Sequence, residues 1–215
     1  MNAFYHFTNH LMTVNQTTNL TAIRNVPDVI YKHYADSLLA SRYIPQGSHV
    51  LDLGCGPGFP SIPLAIMRPD LSITALDSTA KKIAFVEESK NLLALSNLQA
   101  ISGRAEDLSI RKKLGEFDIV VSRAVARLNV LCELCIPYLK IGGNLIALKG
   151  AKANEELTEA SSALKALNSS VIATHEFTLQ TSDIPEVRGL IQIIKNKSTP
   201  SQYPRAYAAI LKKPL

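Results

Sequence analysis

The stretch 50–60, VLDLGCGPGFP, decides the fold of this chain. An apolar run, Val50, Leu51 and Leu53, is interrupted only by Asp52 and meets glycines at alternate positions, Gly54, Gly56 and Gly58. A strand that stops at glycine-rich sequence and restarts as a helix is a nucleotide-binding turn. Glycine reaches backbone conformations closed to other residues and lets the main chain come close to a ligand. The spacing is G-x-G-x-G rather than G-x-G-x-x-G, and Asp52 precedes the first glycine by two residues. A carboxylate there repels a pyrophosphate and suits a cationic ligand. A plain strand-to-helix turn with no ligand is the alternative.

Outward from this turn the pattern alternates. Strands are expected at 49–53, 71–77, 98–102, 117–122 and 144–149, with helices at 59–68, 79–95, near 107–113, 127–140 and 154–168. Continuous apolar runs in the strands suit a parallel sheet buried on both faces. Two further strands, 171–179 and 188–196, follow one another without a helix and imply a hairpin or antiparallel edge. The class is therefore α/β, a Rossmann-like doubly wound, mostly parallel seven-stranded sheet. Ahead of it, Phe4, Phe7, Leu11 and Val14 fall at helical spacing over 2–14. Pro27 opens a second helix with the apolar face Val29, Ile30, Tyr34, Leu38 and Leu39. Residues 1–46 thus read as an N-terminal helical cap, and 47–215 as the main domain with a basic C-terminal segment.

A length of 215 residues suits one domain, and 47% hydrophobic with 19% charged residues describes a soluble globular protein. No run approaches the ~18 apolar residues of a membrane helix, so no membrane partner is expected. The first ten residues lack the basic and apolar regions of a signal peptide. Three cysteines, an odd number, argue against a disulfide framework and for a cytoplasmic protein. Cys132 and Cys135 form a C-x-x-C inside a helical pattern with no second pair; core packing is expected and no metal site. The net charge is +5, and the residues after Glu186 alone carry six cations and no acid: Arg188, Lys195, Lys197, Arg205, Lys212 and Lys213. Beside a cofactor site, that tail suggests a polyanionic substrate; a solvated surface is the alternative.

Ligands of open α/β sheets bind beyond the carboxyl ends of the strands. Asp77 ends the second strand, 21 positions after Gly56. An acid there binds ribose hydroxyls or, alternatively, caps the next helix. After the third strand, Gly103-Arg104-Ala105-Glu106-Asp107 offers a backbone N–H and a carboxylate to an adenine ring, with capping again the alternative. Arg123 and Lys149 sit just past buried strands, where a charge is costly without a ligand or partner.

Together, DLGCGPGFP, Asp77 and the acid after the third strand resemble a class I S-adenosylmethionine-dependent methyltransferase, whose cofactor amino group would suit Asp52. The likeness extends to the RsmG family, also called glucose-inhibited division protein B. It rests on NLTAI at 19–23, KHYADSL at 32–38, GFPSIPLAI at 58–66, LDSTAKKIAFV at 76–86, GRAED at 103–107, SRAVA at 122–126, ALKG at 147–150 and YPR at 203–205. The resemblance implies methylation of guanine N7 in the 530 loop of bacterial 16S ribosomal RNA, at the G527 position, on the RNA or a small-subunit precursor, by a monomer. It implies that Gly54, Gly56, Phe59, Asp77, Ala105, Glu106 and Arg123 line the cofactor pocket. Lys149, Arg188, Arg205, Lys212 and Lys213 are the candidate RNA contacts. The sequence departs from the family's pattern at Ser61, where glycine is usual, and at Ala208 and Ile210, where Gly and Pro are usual.

Guanine N7 bears a lone pair and no proton, so attack on a sulfonium methyl needs no general base. Exocyclic amines are usually methylated beside an Asn/Asp-Pro-Pro-aromatic loop, and here that place holds Arg123-Ala124-Val125. Pyrimidine C5 would need a nucleophilic cysteine. Catalysis by alignment is left, with no catalytic side chain and a positioning role for Arg123. The competing readings are a methyltransferase of another RNA, a nicotinamide-dependent Rossmann oxidoreductase, and a non-catalytic RNA-binding module.

Overall fold

The computed structural model describes residues 2–181 and 184–215. Seven strands form one sheet: β1 (His49–Leu53), β2 (Ser72–Asp77), β3 (Leu98–Ser102), β4 (Phe117–Arg123), β5 (Leu139–Lys149), β6 (Ser169–Leu179) and β7 (Glu186–Lys195), in the order β3-β2-β1-β4-β5-β7-β6. The first five pair in parallel, and β7 runs antiparallel to both β5 and β6. The order reverses between β1 and β4, which opens a crevice at their carboxyl ends.

Alternation along the strands supplies a core on each face. Val50, Ile73, Ile119, Val121 and Ile146 face one way, with α4 (Ser61–Met67) and α5 (Ala80–Leu92) over them. Leu51, Leu53, Val120, Leu145 and Ala147 face the other, under α7 (Leu128–Cys135), α8 (Ala153–Glu159) and α9 (Ser161–Ala166). The N-terminal helix α1 (Asn2–Thr18) adds Phe7 and Leu11 to the first core, where Phe7 meets Phe59 and Phe85 at ring-centroid distances of 5.5 and 6.1 Å. Cys132 and Cys135 are free thiols packed in the second core.

Four expectations need correction. The helix begun near Pro27 is not uniform: α2 (Val26–Asp28) and α3 (Asp36–Leu38) flank a π-helical turn, Val29–Ala35. Its wider turn buries His33 and Tyr34 and leaves Ile30, placed on the apolar face by a 3.6-residue period, 47% exposed. The helix at 154–168 breaks into α8 and α9 at Ala160. Strand β5 begins at Leu139, ahead of a register shift against β4 that the sequence pattern does not mark. After α6 (Leu108–Leu114), one helix was not foreseen, α10 (Tyr207–Lys212) in the tail. Among the described residues no helix is long and apolar enough to cross a membrane.

Candidate active site

The glycine turn is held by its neighbours' main chain and by one carboxylate. Gly54 and Cys55 donate N–H bonds to the Leu76 carbonyl at 2.7 and 3.1 Å. Gly54 has φ +77°, and a Cβ there would lie 2.3 Å from Val125, so the turn can pass beneath the loop after β4 only as glycine. At Gly56 (φ +56°) the Cβ position is open. Its N–H donates to Asp77 Oδ2 at 3.0 Å, while Asp77 Oδ1 accepts from Thr79 N at 2.8 Å at the start of α5. Asp77 therefore ties the glycine turn to the residue that precedes α5. Each oxygen keeps a further lone pair, because a carboxylate accepts about four hydrogen bonds.

Asp52 takes a different place from the one expected. It is fully buried, Oδ2 accepts from Ser61 N at 2.9 Å, and it does not line the cavity. Burial pushes its pKa up to about 7 against the hydrogen bonds from Ser61. It acts behind the turn, at the start of α4, rather than as a direct partner of a ligand's amino group.

A cavity of about 460 Å³ opens at these strand ends. All seven residues expected to hold cofactor, Gly54, Gly56, Phe59, Asp77, Ala105, Glu106 and Arg123, line it. The two acids after β3 face different ways. Asp107 caps α6 by accepting from Ser109 N at 2.8 Å, whereas Glu106 lines the cavity with Arg104 at 3.1 Å. Tyr138 fixes that loop by donating its hydroxyl to the Ala105 carbonyl at 2.8 Å.

Arg123 lies at the wall, but its donors turn to the cap. Nη1 reaches the Lys32 carbonyl at 2.8 Å and Asp36 Oδ2 at 3.0 Å, and Nη2 reaches His33 Nδ1 at 3.0 Å. That contact makes Nδ1 the acceptor and leaves the ring proton on Nε2, which donates to Thr21 Oγ1 at 3.0 Å. The imidazole stacks on Phe59 with centroids 4.2 Å apart. Burial first, and the Arg123 charge second, lower the His33 pKa to about 3. One guanidinium thus holds both His33 and Asp36. Thr21 is set in turn by Asn15, 1% exposed, whose Oδ1 accepts from Leu20 N and Thr21 N at 2.8 and 3.0 Å.

The candidate RNA contacts separate. Lys149 is a correction: it is 7% exposed, with Nζ on the Ala126 carbonyl at 2.5 Å and Glu156 at 2.8 Å, so no phosphate can reach it. Arg205 is bolted inward, with N and Nε on Glu133 Oε1 at 2.8 and 2.9 Å and Nη2 on Oε2 at 2.6 Å. Glu133 is fully buried. Arg188 pairs with Asp36 at 3.3 Å and Glu186 at 2.6 Å. Lys212 and Lys213 are exposed. Sequence reasoning did not single out Leu20, Thr21, Lys82 or Tyr207, all of which line the cavity. NLTAI was a signal for the first two and LDSTAKKIAFV for Lys82; no quoted motif contains Tyr207.

The model of the GidB family, described as rRNA small subunit methyltransferase G, matches residues 1–198. A protein of Halalkalibacterium halodurans named Ribosomal RNA small subunit methyltransferase G is 44% identical over 218 residues, covering 100% of this chain and 91% of that one. One of the same name from Lachnoclostridium phytofermentans is 47% identical over 211 residues, covering 95% and 85%. Among solved structures, M. jannaschii TYW2 in complex with AdoMet aligns with a TM-score of 0.61 at 15% identity, over 81% of this chain and 79% of that one. TrmN from Thermus thermophilus aligns with a TM-score of 0.57 at 18% identity, over 75% and 48%. At such identities the two structures share the fold.

Proposed function

Because this chain belongs to the rRNA small subunit methyltransferase G family, we propose that it transfers a methyl group from S-adenosylmethionine to N7 of a guanine in the 530 loop of 16S ribosomal RNA, in the cytoplasm. The observation that carries this reading is that the seven residues the resemblance implied, from Gly54 to Arg123, line one cavity of ligand size. The cavity's residues suit the cofactor. The open backbone at Gly56 admits close approach, the spare lone pairs of Asp77 would take ribose hydroxyls, and Ala105 with Glu106 would take the adenine edge. Bound there, the cofactor supplies an electrophilic methyl on a sulfonium.

The chain's own groups favour an acceptor without a proton to lose. His33 has both ring nitrogens committed and stays neutral, and burial drives the Cys55 thiol well above its ordinary pKa. Neither serves as a general base or a thiolate nucleophile near neutral pH. Guanine N7 needs neither. The walls therefore act by alignment and by excluding water. A-form RNA hides N7 in a deep, narrow groove, so the target base must be unstacked or in a loop. The oxidoreductase and non-catalytic readings fall with family membership.

The test is incubation of the purified chain with S-adenosylmethionine and 16S RNA, free or in small subunits, followed by mass spectrometry of nuclease fragments. One methyl on guanine N7 in the 530-loop fragment is expected. A methyl elsewhere would reassign the RNA target, and none on either substrate would overturn the reading.

A further inference from the structure

Tyr207 lines the cavity although it belongs neither to the glycine turn nor to any strand-end loop. It opens α10, a helix anchored by the segment before it and by one buried residue within it. Before it, Arg205 is clamped on buried Glu133, and the Tyr203 carbonyl accepts from Arg111 Nη1 at 2.9 Å. Within it, Ile210 is fully buried in the second core and donates its N–H to the Ala206 carbonyl at 3.1 Å. A proline at 210, the residue usual in the resembled family, has no N–H to make that bond. The helix that aims Tyr207 is thus written into this tail's own residues.

We infer that Tyr207 is a cofactor-binding residue, its ring forming a wall at the adenosine end of the pocket. The anchors decide which end. Arg111 belongs to α6, which follows directly on the Gly103–Asp107 loop, and Glu133 belongs to α7, after which the 3-10 turn Ile136–Tyr138 holds Ala105 through Tyr138. The tail is fastened on both sides to the elements that set the adenine-side loop. Tyr207 packs against the apolar cluster that also takes in Ala105 and Val125. An aromatic face beside a base adds stacking that Ala105 and Glu106 cannot supply, and it does so without selecting a particular hydrogen-bond edge. Tyr207 is only partly buried, so its ring keeps surface to offer a ligand.

This inference rests on reading the cavity as a S-adenosylmethionine site, and the test keeps the two apart. S-adenosylhomocysteine binding is measured by calorimetry on the full chain and on Tyr207→Ala and Tyr207→Phe. Tyr207→Ala should bind about tenfold more weakly and Tyr207→Phe within about twofold, since the ring and not the hydroxyl does the stacking. The chain has no tryptophan, so Tyr207→Trp carries a lone indole whose emission should change on adding S-adenosylhomocysteine and stay constant on adding a 530-loop RNA hairpin alone. No binding by the parent chain would sink the reading of the cavity. Binding by the parent with Tyr207→Ala unchanged, with Tyr207→Phe as weak as Ala, or with indole emission answering to RNA but not to cofactor would overturn the wall.

Discussion

The glycine-rich end of the sheet and the basic tail are both rich in charge, and they spend it in opposite directions. At the pocket, Asp77 and Glu106 take bonds from donors close by in sequence or in the turn and still face the cavity. In the tail, cations turn inward: Arg205 onto Glu133, Arg188 onto Asp36, and Lys195, 3% exposed, onto the Leu139 carbonyl and Glu116. A count of charge along the chain therefore says little about the field at the surface. The partner that cancels a cation can lie far off in sequence, as Glu133 does from Arg205 and Asp36 from Arg188.

The most forceful way to break this comparison is Arg205→Ala. It strands the fully buried Glu133 carboxylate. Loss of one partner of a buried pair costs ~3 kcal/mol, at the low end because Arg205 is itself partly exposed. For a chain of this size the melting temperature should fall by roughly 6–12 °C, as read by calorimetry. Were Arg205 a phosphate contact, stability would hold and only RNA affinity would fall.

At the other region, Asp77→Ala should weaken cofactor binding at least about tenfold, because bonds to a charged acceptor contribute ~1.5–3 kcal/mol. It also frees the Gly56 and Thr79 N–H groups. Asp77→Asn, which retains one acceptor oxygen, should sit between parent and Ala in titration calorimetry. Equal affinity for all three would remove Asp77 from the ribose.

The fold was legible because its signals are local, and the seven pocket positions because the motifs resemble a known family. Alternation marks strands, and glycines mark a turn whose backbone other residues adopt only at a cost. The rest was not legible for equally physical reasons. The π-turn inserts a residue into a period read as 3.6, so Ile30 and His33 exchange exposure. Lys149 ends an apolar strand and looks like a ligand, but its carboxylate, Glu156, is supplied by the following helix. Tyr207 reaches the cavity only because a clamp from α7 carries the tail there. Asp77 was weighed as a ribose ligand or a helix cap; its side chain faces the cavity and bonds Gly56 N and Thr79 N, while α5 carries no side-chain cap.

A smaller effect sharpens what is left of the basic tail. Lys212 and Lys213 are exposed, so their double alanine variant should lose at most two phosphate contacts. The slope of log affinity against log salt for RNA should flatten by about 1–2. Cofactor affinity should not move. An unaltered slope would return both lysines to solvated surface.

The smallest effect expected is on pH dependence, where two buried groups oppose each other. The His33 pKa is lowered to about 3 from 6.5 unfolded, so the unfolded chain binds the extra proton and stability is lost as pH falls below about 6.5. The Asp52 pKa is raised to about 7 from 3.8, so the folded chain holds the extra proton and stability is lost as pH rises from about 4 to 7. Between pH 4.5 and 6.5, roughly, the slopes offset and the parent's melting temperature should stay nearly level. Asp52→Asn keeps an acceptor for Ser61 N and removes one slope. Its stability should then drop on acidification by up to about 1.4 kcal/mol per pH unit. The chemical step should be insensitive as well. Asp52 titrates behind the turn, outside the cavity, and His33 stays neutral, so single-turnover rates at saturating cofactor should be nearly flat from about pH 6.5 to 8.5. His33→Ala should cost stability rather than rate, since its ring packs on Phe59 and bonds Thr21 and Arg123. A log-linear rise of the rate with pH, abolished in His33→Ala, would show instead that the methyl acceptor must lose a proton, and N7 would no longer be the target atom.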